Sequence, residues 1–318
     1  MAPRTLQQLF VEPYNGLCNR IRVIASAKRF QQLTGVPCTI VWDWPDFTAL
    51  FEPEPSLAIV TQRPALPDGT MTLTTRNVRN TPEHLRLPLT GPPAAFITTC
   101  HSFGRAQDSW YLDMSELREW LPKPAAAIRE RAAAFRSQHM PAGGMVGFHI
   151  RRTDSERPFI DSPDWRFLRQ AKEIVEGGGR IFLATDNRGT ERRLLRRFGD
   201  EVLVYPKNPA IARRWPREPD AMEIGEDYID LLLLAGCDYV LGSQKSSYSS
   251  LAMALNGSPR SGLIDGMPVA RLTAADRWQA ARDRLASLPA RVREFRRRYE
   301  PRLGIGRAIR RGLRSLGL

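Results

Sequence analysis

The stretch "MVGFHIRRTD", residues 145–154, is the part of the chain that decides the fold we predict. Its first six residues predict a buried β-strand, which ends in two arginines, a threonine and an aspartate. Side chains alternate along a strand, so Phe148 and Ile150 should share one face. His149 and Arg151 should then share the opposite face. This pattern is typical either of a salt-bridged strand exit or of a site that binds an anion.

Strand and helix signals alternate along most of the chain, which predicts an α/β fold with parallel sheets. Residues 52–100 are predicted to be irregular with short strands. The other strands are predicted at about residues 8–13, 38–42, 145–150, 180–185, 201–206 and 238–243. Helices are predicted at 19–35, 115–121, 124–138, 165–179, 188–199, 225–237 and 246–257.

A chain of 318 residues is long enough for about two domains. The sequence "RSQHMPAGG" interrupts the pattern and places the boundary near residue 140. We therefore expect an α/β domain over residues 1–140 and a Rossmann-like domain over 141–290, facing each other across a cleft. Residues 291–318 form a separate basic tail.

The net charge of +13 lies largely in that tail. Residues 291–318 hold ten arginines and two glutamates, which gives +8 and leaves +5 for the rest of the chain. The overall charge therefore does not predict nucleic-acid binding by the whole protein. Two readings of the tail stay open: a basic amphipathic helix on an anionic membrane surface, or a disordered solvated segment.

Several classes of protein do not fit the composition. No run approaches 18 apolar residues, and the first residues are a poor signal peptide. The four cysteines have neither CxxC nor metal-ligand spacing, so reduced thiols are expected. We expect a cytoplasmic protein, with peripheral contact at the inner membrane surface if the tail is helical.

Two further predicted strands end in polar residues. "FLATDN", residues 182–187, places Asp186 where it can accept hydrogen bonds from a ligand. The alternative is that Asp186 or Asn187 caps the next helix. "LGSQKSSYSS", residues 241–250, places Ser246 and Ser247 at a helix N-terminus, as a cap or as an anion site. The carboxyl ends of parallel strands lie together, so these groups and Arg151 should converge.

A glycine turn follows the first strand. In "YNGLCNRIR", residues 14–22, Gly16 permits close approach of a backbone to a ligand. Asn19 and Arg20 are then placed to face the cleft. The turn matches neither G-x-G-x-x-G nor a P-loop, and a simple strand–helix connection is the alternative.

"HIRRTD", "FLATDN" and "SSYSS" resemble the three donor-site motifs of inverting GDP-fucose-dependent fucosyltransferases. That superfamily includes α-1,6-fucosyltransferases, nodulation fucosyltransferases and protein O-fucosyltransferases. "GLCNRIRVIASAKRFQQLTG" is similar to their N-terminal glycine loop and helix, so the resemblance runs from residue 14 to about 256. It implies a GT-B-like fold and transfer of fucose with inversion, without a metal or other cofactor.

The resemblance also implies roles for the strand-end residues. Arg151 would hold the β-phosphate of GDP-fucose, with Arg152 beside it. His149 and Asp186 would meet the guanine or the ribose. The remaining donor-binding positions would be contributed by both domains: Ser246 and Ser247 at the diphosphate, and Gly16, Asn19 and Arg20 from the N-terminal, acceptor-side domain.

In this mechanism, Arg151 stabilises the negative charge that grows on the departing diphosphate. The sequence contains no D-x-D, the usual metal-carrying spacing of GT-A enzymes. Asp154, Glu156 and Asp161 are the candidates for taking the proton of the acceptor hydroxyl, with Asp154 first as a structural support.

The chain departs from the α-1,6 enzymes at two places. The stretch after the paired serines reads "YSSLAM" and lacks their arginine, and "RPFID" stands where they carry a glutamate. Rival hypotheses are therefore use of another nucleotide sugar, a catalytically silent nucleotide-sugar-binding protein, or a nucleic-acid-binding protein driven by the tail. The partners expected from the main hypothesis are a nucleotide sugar and a glycan or lipid-linked acceptor, without nucleic acid.

Overall fold

A computed structural model describes residues 5–44, 46–75, 85–105, 114–152, 161–207 and 221–264. Its strands are β1 Gln8–Pro13, β2 Cys38–Val41, β3 Ala58–Val60, β4 Met71–Thr74, β5 Leu85–Leu87, β6 Ala94–Thr99, β7 Phe103–Arg105, β8 Met145–Ile150, β9 Arg180–Thr185, β10 Val202–Leu203, β11 Tyr239–Gly242 and β12 Gly262–Leu263. Its α-helices are α1 Leu17–Thr34, α2 Phe47–Leu50, α3 Ala126–His139, α4 Asp164–Glu176, α5 Arg188–Phe198, α6 Ala221–Ala235 and α7 Ser247–Asn256.

Two five-stranded sheets form the frame of the molecule. Their strand orders are β3-β2-β1-β6-β4 and β10-β9-β8-β11-β12, and every strand pair in them is parallel. In each sheet the strand order reverses direction, between β1 and β6 and between β8 and β11. Such a reversal opens a crevice at the carboxyl ends of the strands, where α/β proteins bind ligands.

The two faces of β8 are those that the alternation predicts. Phe148 and Ile150 lie in an apolar core with Phe167 of α4, and the rings of Phe148 and Phe167 are 5.6 Å apart. Gly147 faces the other way, where an added Cβ would lie 3.1 Å from Leu234 of α6. A larger residue at 147 would therefore push α6 away from the sheet.

Helix α6 packs on the second sheet and also on α2 and α3. Tyr228 of α6 is buried, with its ring 5.7 Å from that of Phe51 at the end of α2. The Tyr228 hydroxyl donates to the carbonyl of Pro122 at 3.5 Å. One apolar core therefore contains residues of both sheets, while the division near residue 140 into domains stays a prediction.

Most predicted elements are confirmed, including α1, which ends where Gly35 adopts a φ of 72°. The helix predicted at 115–121 is wrong, because the chain forms only a 3-10 turn at Arg118–Trp120 there. Residues 52–100 supply three of the five strands of the first sheet, among them the fully buried β6. The predicted basic tail lies outside the described residues.

The four cysteines are buried free thiols, as the sequence predicts. Among the helices of the described residues, none has both the length and the apolar character that a membrane crossing requires.

The Tyr228 contact gives a test of how strongly the two halves are held together. Tyr228→Ala should lower the free energy of unfolding by about 3–5 kcal/mol, because it leaves a cavity between α2 and α6. Urea denaturation measures the change. Met222→Ala on the same helix is the control, since this side chain is 62% exposed and its loss should cost under about 0.5 kcal/mol. Equal losses in the two variants would contradict the contact.

Candidate functional site

Ser243 joins the ends of β8 and β11 at the second sheet's reversal of strand order. Its backbone N–H donates to the carbonyl of His149 at 3.0 Å, and its hydroxyl donates to the same carbonyl at 3.2 Å. The Ser243 Oγ also accepts from the backbone N–H of Arg151 at 3.1 Å. A hydroxyl suits this position because it donates and accepts at once. The bonds fix the backbone from which the Arg151 side chain leaves the sheet.

His149 is held on two sides by residues of α7. Its Nδ1 lies 2.7 Å from the Oγ of Ser249, and its ring stacks on Tyr248 with centroids 4.5 Å apart and planes 25° apart. Only 6% of His149 is exposed. Both residues that hold the imidazole belong to the helix that "SSYSS" begins.

The His149 imidazole is neutral at physiological pH. Burial lowers its pKa well below the ordinary 6.5, and the nearby positive charges of Arg151, Lys207 and Arg152 lower it further. A neutral imidazole carries one N–H donor and one acceptor nitrogen. His149 therefore adds hydrogen-bonding capacity to the site without adding charge.

Arg152 is part of the structural support. Its Nε donates to Asp164 Oδ1 at 2.7 Å and its Nη2 to the carbonyl of Ser162 at 2.6 Å, with the side chain 1% exposed. Its backbone N–H donates to Asp186 Oδ1 at 2.7 Å. These contacts tie the end of β8 to the start of α4, and donor binding by Arg152 stays a prediction.

The helix N-caps at this edge are now defined. Asn187, not Asp186, caps α5 by accepting from the Thr190 N–H at 2.9 Å. Ser246 caps α7, with its Oγ 3.5 Å from the N–H of Ser249. The carboxylate of Asp186 does not cap α5 and accepts from the Arg152 backbone instead. Contact of Asp186 with a nucleotide stays a prediction.

The glycine turn of the first sheet is shaped by Arg20. Asn15 adopts a φ of 68°, and a Cβ added at Gly16 would meet nothing within 4 Å. Arg20 donates from Nε to the carbonyl of Asn15 at 2.9 Å and from Nη1 to Asp43 at 2.7 Å, with its guanidinium 4.3 Å above the ring of Trp44. These bonds hold the turn, and the space beside Gly16 is available to a ligand.

Electrostatics place this turn near Arg151. Burial raises the pKa of the Cys18 thiol, and the charge of Arg151 partly opposes that rise. The Oδ1 of Asn19 accepts from Arg22 at 2.8 Å. The N-terminal end of α1 therefore lies within the field of Arg151, while direct donor contacts of Gly16 and Asn19 stay predictions.

A charged cluster behind His149, in which Asp230 is buried and Asp227 is exposed, was missed by the sequence reasoning. Lys207 Nζ lies 2.7 Å from Asp227 Oδ1 and 2.7 Å from Asp230 Oδ2. The Tyr248 hydroxyl donates to the carbonyl of Asp227 at 2.6 Å. Burial raises the pKa of Asp230 to about 6, although Lys207 opposes the rise. The sequence did carry a signal for this cluster: two acids stand three residues apart in the apolar run "DYIDLLLL", and a buried acid needs a partner.

Of the proposed proton acceptors, the structure describes only Asp161. Its backbone carbonyl accepts from Arg166 at 2.7 Å. Proton transfer to its carboxylate stays a prediction. Asp154 and Glu156 lie outside the described residues. Within the described ranges no three His, Cys, Asp or Glu side chains form a metal-binding group, and independence from metal stays a prediction.

The two parallel sheets, each with one reversal of strand order, give a fold of the GT-B type. The chain is similar to the α-1,6-fucosyltransferase NodZ from Bradyrhizobium, with a TM-score of 0.54 and 18% identity over 78% of this chain and 92% of that one. It is also similar to Arabidopsis thaliana FUT1, with a TM-score of 0.50 and 13% identity over 79% of this chain and 69% of that one. At these identities the likeness establishes the fold.

The two neighbours were solved with ligands. NodZ was soaked with GDP-fucose or co-crystallised with GDP, and a variant of FUT1 was solved in complex with GDP. No protein-family model matches the chain, and no curated protein does. The fold expected from the three motifs is nevertheless confirmed.

The depressed pKa of His149 predicts a pH dependence of stability. The unfolded chain takes up a proton at this residue below about pH 6.5, whereas the folded state resists it. The contribution of His149 to the free energy of unfolding is thus fully present above that pH. It is lost as the pH falls, by up to about 1.4 kcal/mol per pH unit.

The comparison of wild type with His149→Gln isolates this contribution. Their difference in the free energy of unfolding, from urea denaturation between pH 5 and 8, should grow with pH and level off above about 6.5. The control is Ser250→Ala, which removes no titrating group. A difference for His149→Gln that does not change with pH would refute the neutral imidazole.

Proposed function

We propose that this protein transfers fucose from GDP-fucose to a hydroxyl of a glycan or glycoconjugate, with inversion and without a metal ion. The observation that carries the proposal is the position of Arg151, at the reversal of strand order in a GT-B-type fold. The same fold holds GDP-fucose in NodZ. The three sequence motifs that suggested such a donor site meet at one edge of the second sheet.

The chemistry requires a fixed positive charge beside the departing diphosphate. Negative charge on the leaving group is greater in the transition state than in the substrate, so a preorganised guanidinium accelerates the reaction. Arg151 is suited to this role because Ser243 fixes its backbone. The N-terminus of α7, at Ser246 and Ser247, supplies backbone N–H groups and hydroxyls for the remaining phosphate oxygens.

Asp230 is our candidate for the guanine. Its Oδ1 is buried and has no hydrogen-bond partner among the described residues, while its Oδ2 contacts Lys207. A buried carboxylate oxygen without a hydrogen-bond donor destabilises the protein, and a ligand that supplies the donor removes that cost. Guanine offers adjacent N–H donors, and Lys207 offsets part of the negative charge of Asp227 and Asp230. Tyr248 connects this carboxylate's helix to His149.

One observation favours a second candidate function, a nucleotide-sugar-binding protein without catalysis. In "YSSLAM" the chain carries Leu251 and Ala252, both fully buried, in the region where α-1,6 enzymes have an arginine. The counter-charge to the diphosphate then rests more heavily on Arg151. Turnover therefore has to be measured as well as binding.

The acceptor and the cellular location belong to the same proposal. We place the enzyme in the cytoplasm with a glycan or lipid-linked acceptor, and the basic charge of residues 291–318 supports peripheral contact with an anionic membrane. GDP binding, followed by calorimetry, should survive deletion of those residues. A full-length chain that ignores GDP and binds duplex DNA with a steep salt dependence would favour the nucleic-acid hypothesis.

Donor hydrolysis tests the function without knowledge of the acceptor. A screen of GDP-fucose, GDP-mannose and UDP-sugars should show release of GDP from GDP-fucose by the wild type. Arg151→Ala should lower that rate by about 10²–10³-fold, because it removes the main charge that stabilises the leaving group. The matched control is Arg169→Ala, a surface arginine paired with Glu173. Near-normal turnover in Arg151→Ala would refute the mechanism.

Independence from metal gives a second test. Hydrolysis of GDP-fucose should proceed at the same rate in excess EDTA as in Mg²⁺ or Mn²⁺, because arginine and helix N-terminal groups carry the counter-charge. A strict requirement for either cation would show that the diphosphate is neutralised in another way.

A further inference from the structure

We propose that Ser249 and Tyr248 are positioning residues that hold His149 as its Nε2–H tautomer, so that the imidazole presents one N–H donor to a nucleoside diphosphate. The inference rests on the proposed function and adds to it the state in which this histidine meets the donor substrate.

The first step concerns the proton of the Ser249 hydroxyl. Ser249 is completely buried, and its Oγ lies 2.7 Å from His149 Nδ1. Within the described part of the chain, that nitrogen is the acceptor within hydrogen-bonding distance of the hydroxyl. A buried O–H without an acceptor costs about 1–3 kcal/mol. Ser249 therefore donates, and Nδ1 accepts.

The second step follows from the charge of the ring. A neutral imidazole has one proton, so a ring that accepts at Nδ1 carries it on Nε2. Burial and the charge of Arg151 keep His149 neutral. Its Nε2 makes no hydrogen bond to the described residues. Since a donor in that position needs an acceptor, a base, ribose or phosphate atom of the nucleotide fits.

Tyr248 fixes the plane of the ring. It stacks on His149 with centroids 4.5 Å apart, and its own hydroxyl is bonded to the carbonyl of Asp227 at 2.6 Å. Rotation of the imidazole by half a turn would exchange Nδ1 with a carbon and break the bond to Ser249. The two residues of α7 thus restrict orientation and tautomer together.

Gly242 supplies the space for this arrangement. A Cβ added there would lie 2.5 Å from the Cβ of Ser249 and 2.6 Å from its Oγ. Any side chain at 242 would displace the hydroxyl that contacts His149. The glycine at the end of β11 is therefore required by close approach.

Nitrogen NMR on protein labelled with ¹⁵N-histidine tests the tautomer directly. The chain has four histidines, and loss of one set of signals in His149→Gln assigns this residue. At pH 7 the wild type should show a protonated Nε2 and an unprotonated Nδ1. Ser249→Ala should give a mixture of tautomers. Ser250→Ala is the matched control, since its Oγ bonds the carbonyl of Ser246 at 3.2 Å and the His149 signals should not change.

Calorimetry with GDP measures the consequence for binding. Ser249→Ala should weaken the Kd about tenfold, the effect of one hydrogen bond in the site. Tyr248→Phe keeps the stacked ring and should retain more affinity than Tyr248→Leu. Ser250→Ala should bind as the wild type does.

The outcomes separate this inference from the proposed function. A wild-type His149 protonated at Nδ1 would overturn the inference, and this holds even if Ser249→Ala fails to fold. Unchanged tautomer and affinity in a folded Ser249→Ala would overturn it too. A wild type that does not bind GDP would instead overturn the proposed function, while the nitrogen signals would still decide the tautomer.

Discussion

The bonds of Ser243 are the constraint on which the rest of the site depends. At the reversal of strand order, β8 and β11 are paired up to His149 and Gly242. Beyond that pair a gap opens, because the two strands lead to helices on opposite faces of the sheet. Ser243 closes that gap by donating twice to the His149 carbonyl and accepting from the Arg151 amide. A functional side chain is positioned well when its backbone is held by a rigid element, as here.

The two adjacent arginines have different surroundings, because neighbouring side chains of a strand point in opposite directions. The guanidinium of Arg152 lies in a buried ion pair with Asp164, and removal of Asp164 would leave the buried guanidinium without this partner. Arg151 extends from the opposite side of the chain and is half-buried at the crevice. Arg152 thus anchors the end of β8, from which Arg151 extends.

Local rules were sufficient for the parts of the structure that are local. The period of a strand predicted which face of β8 carries His149. Helix capping was one of the two readings offered for the polar residues before α5 and α7, and the structure shows Asn187 and Ser246 as the caps. The same reasoning suggested Asp154 as an ion-pair partner for the arginines. Asp154 lies outside the described residues, so that pairing stays a prediction. The ion pair of Arg152 with Asp164 was not predicted, and it forms because α4 begins beside the end of β8.

The features that the sequence did not reveal depend on contacts between segments that are distant in the chain. Lys207 meets Asp227 and Asp230 only because the end of β10 and α6 lie on neighbouring parts of the fold. Strand β6 lies inside the first sheet, between β1 and β4, yet its short apolar run is surrounded by prolines and threonines that indicate loops. Ser249 and Tyr248 belong to the motif "SSYSS", but only the structure shows that they hold His149.

The bridging position of α6 has a consequence for how the protein is made. Phe51 and Tyr228 are in contact although 177 residues (228 − 51) separate them in sequence. During synthesis the first sheet leaves the ribosome with the surface around Phe51 uncovered, until α6 emerges. Contacts of such high sequence separation slow folding and leave apolar surface open to aggregation. The emergence of α6 therefore also ends the period in which this apolar surface is open to aggregation.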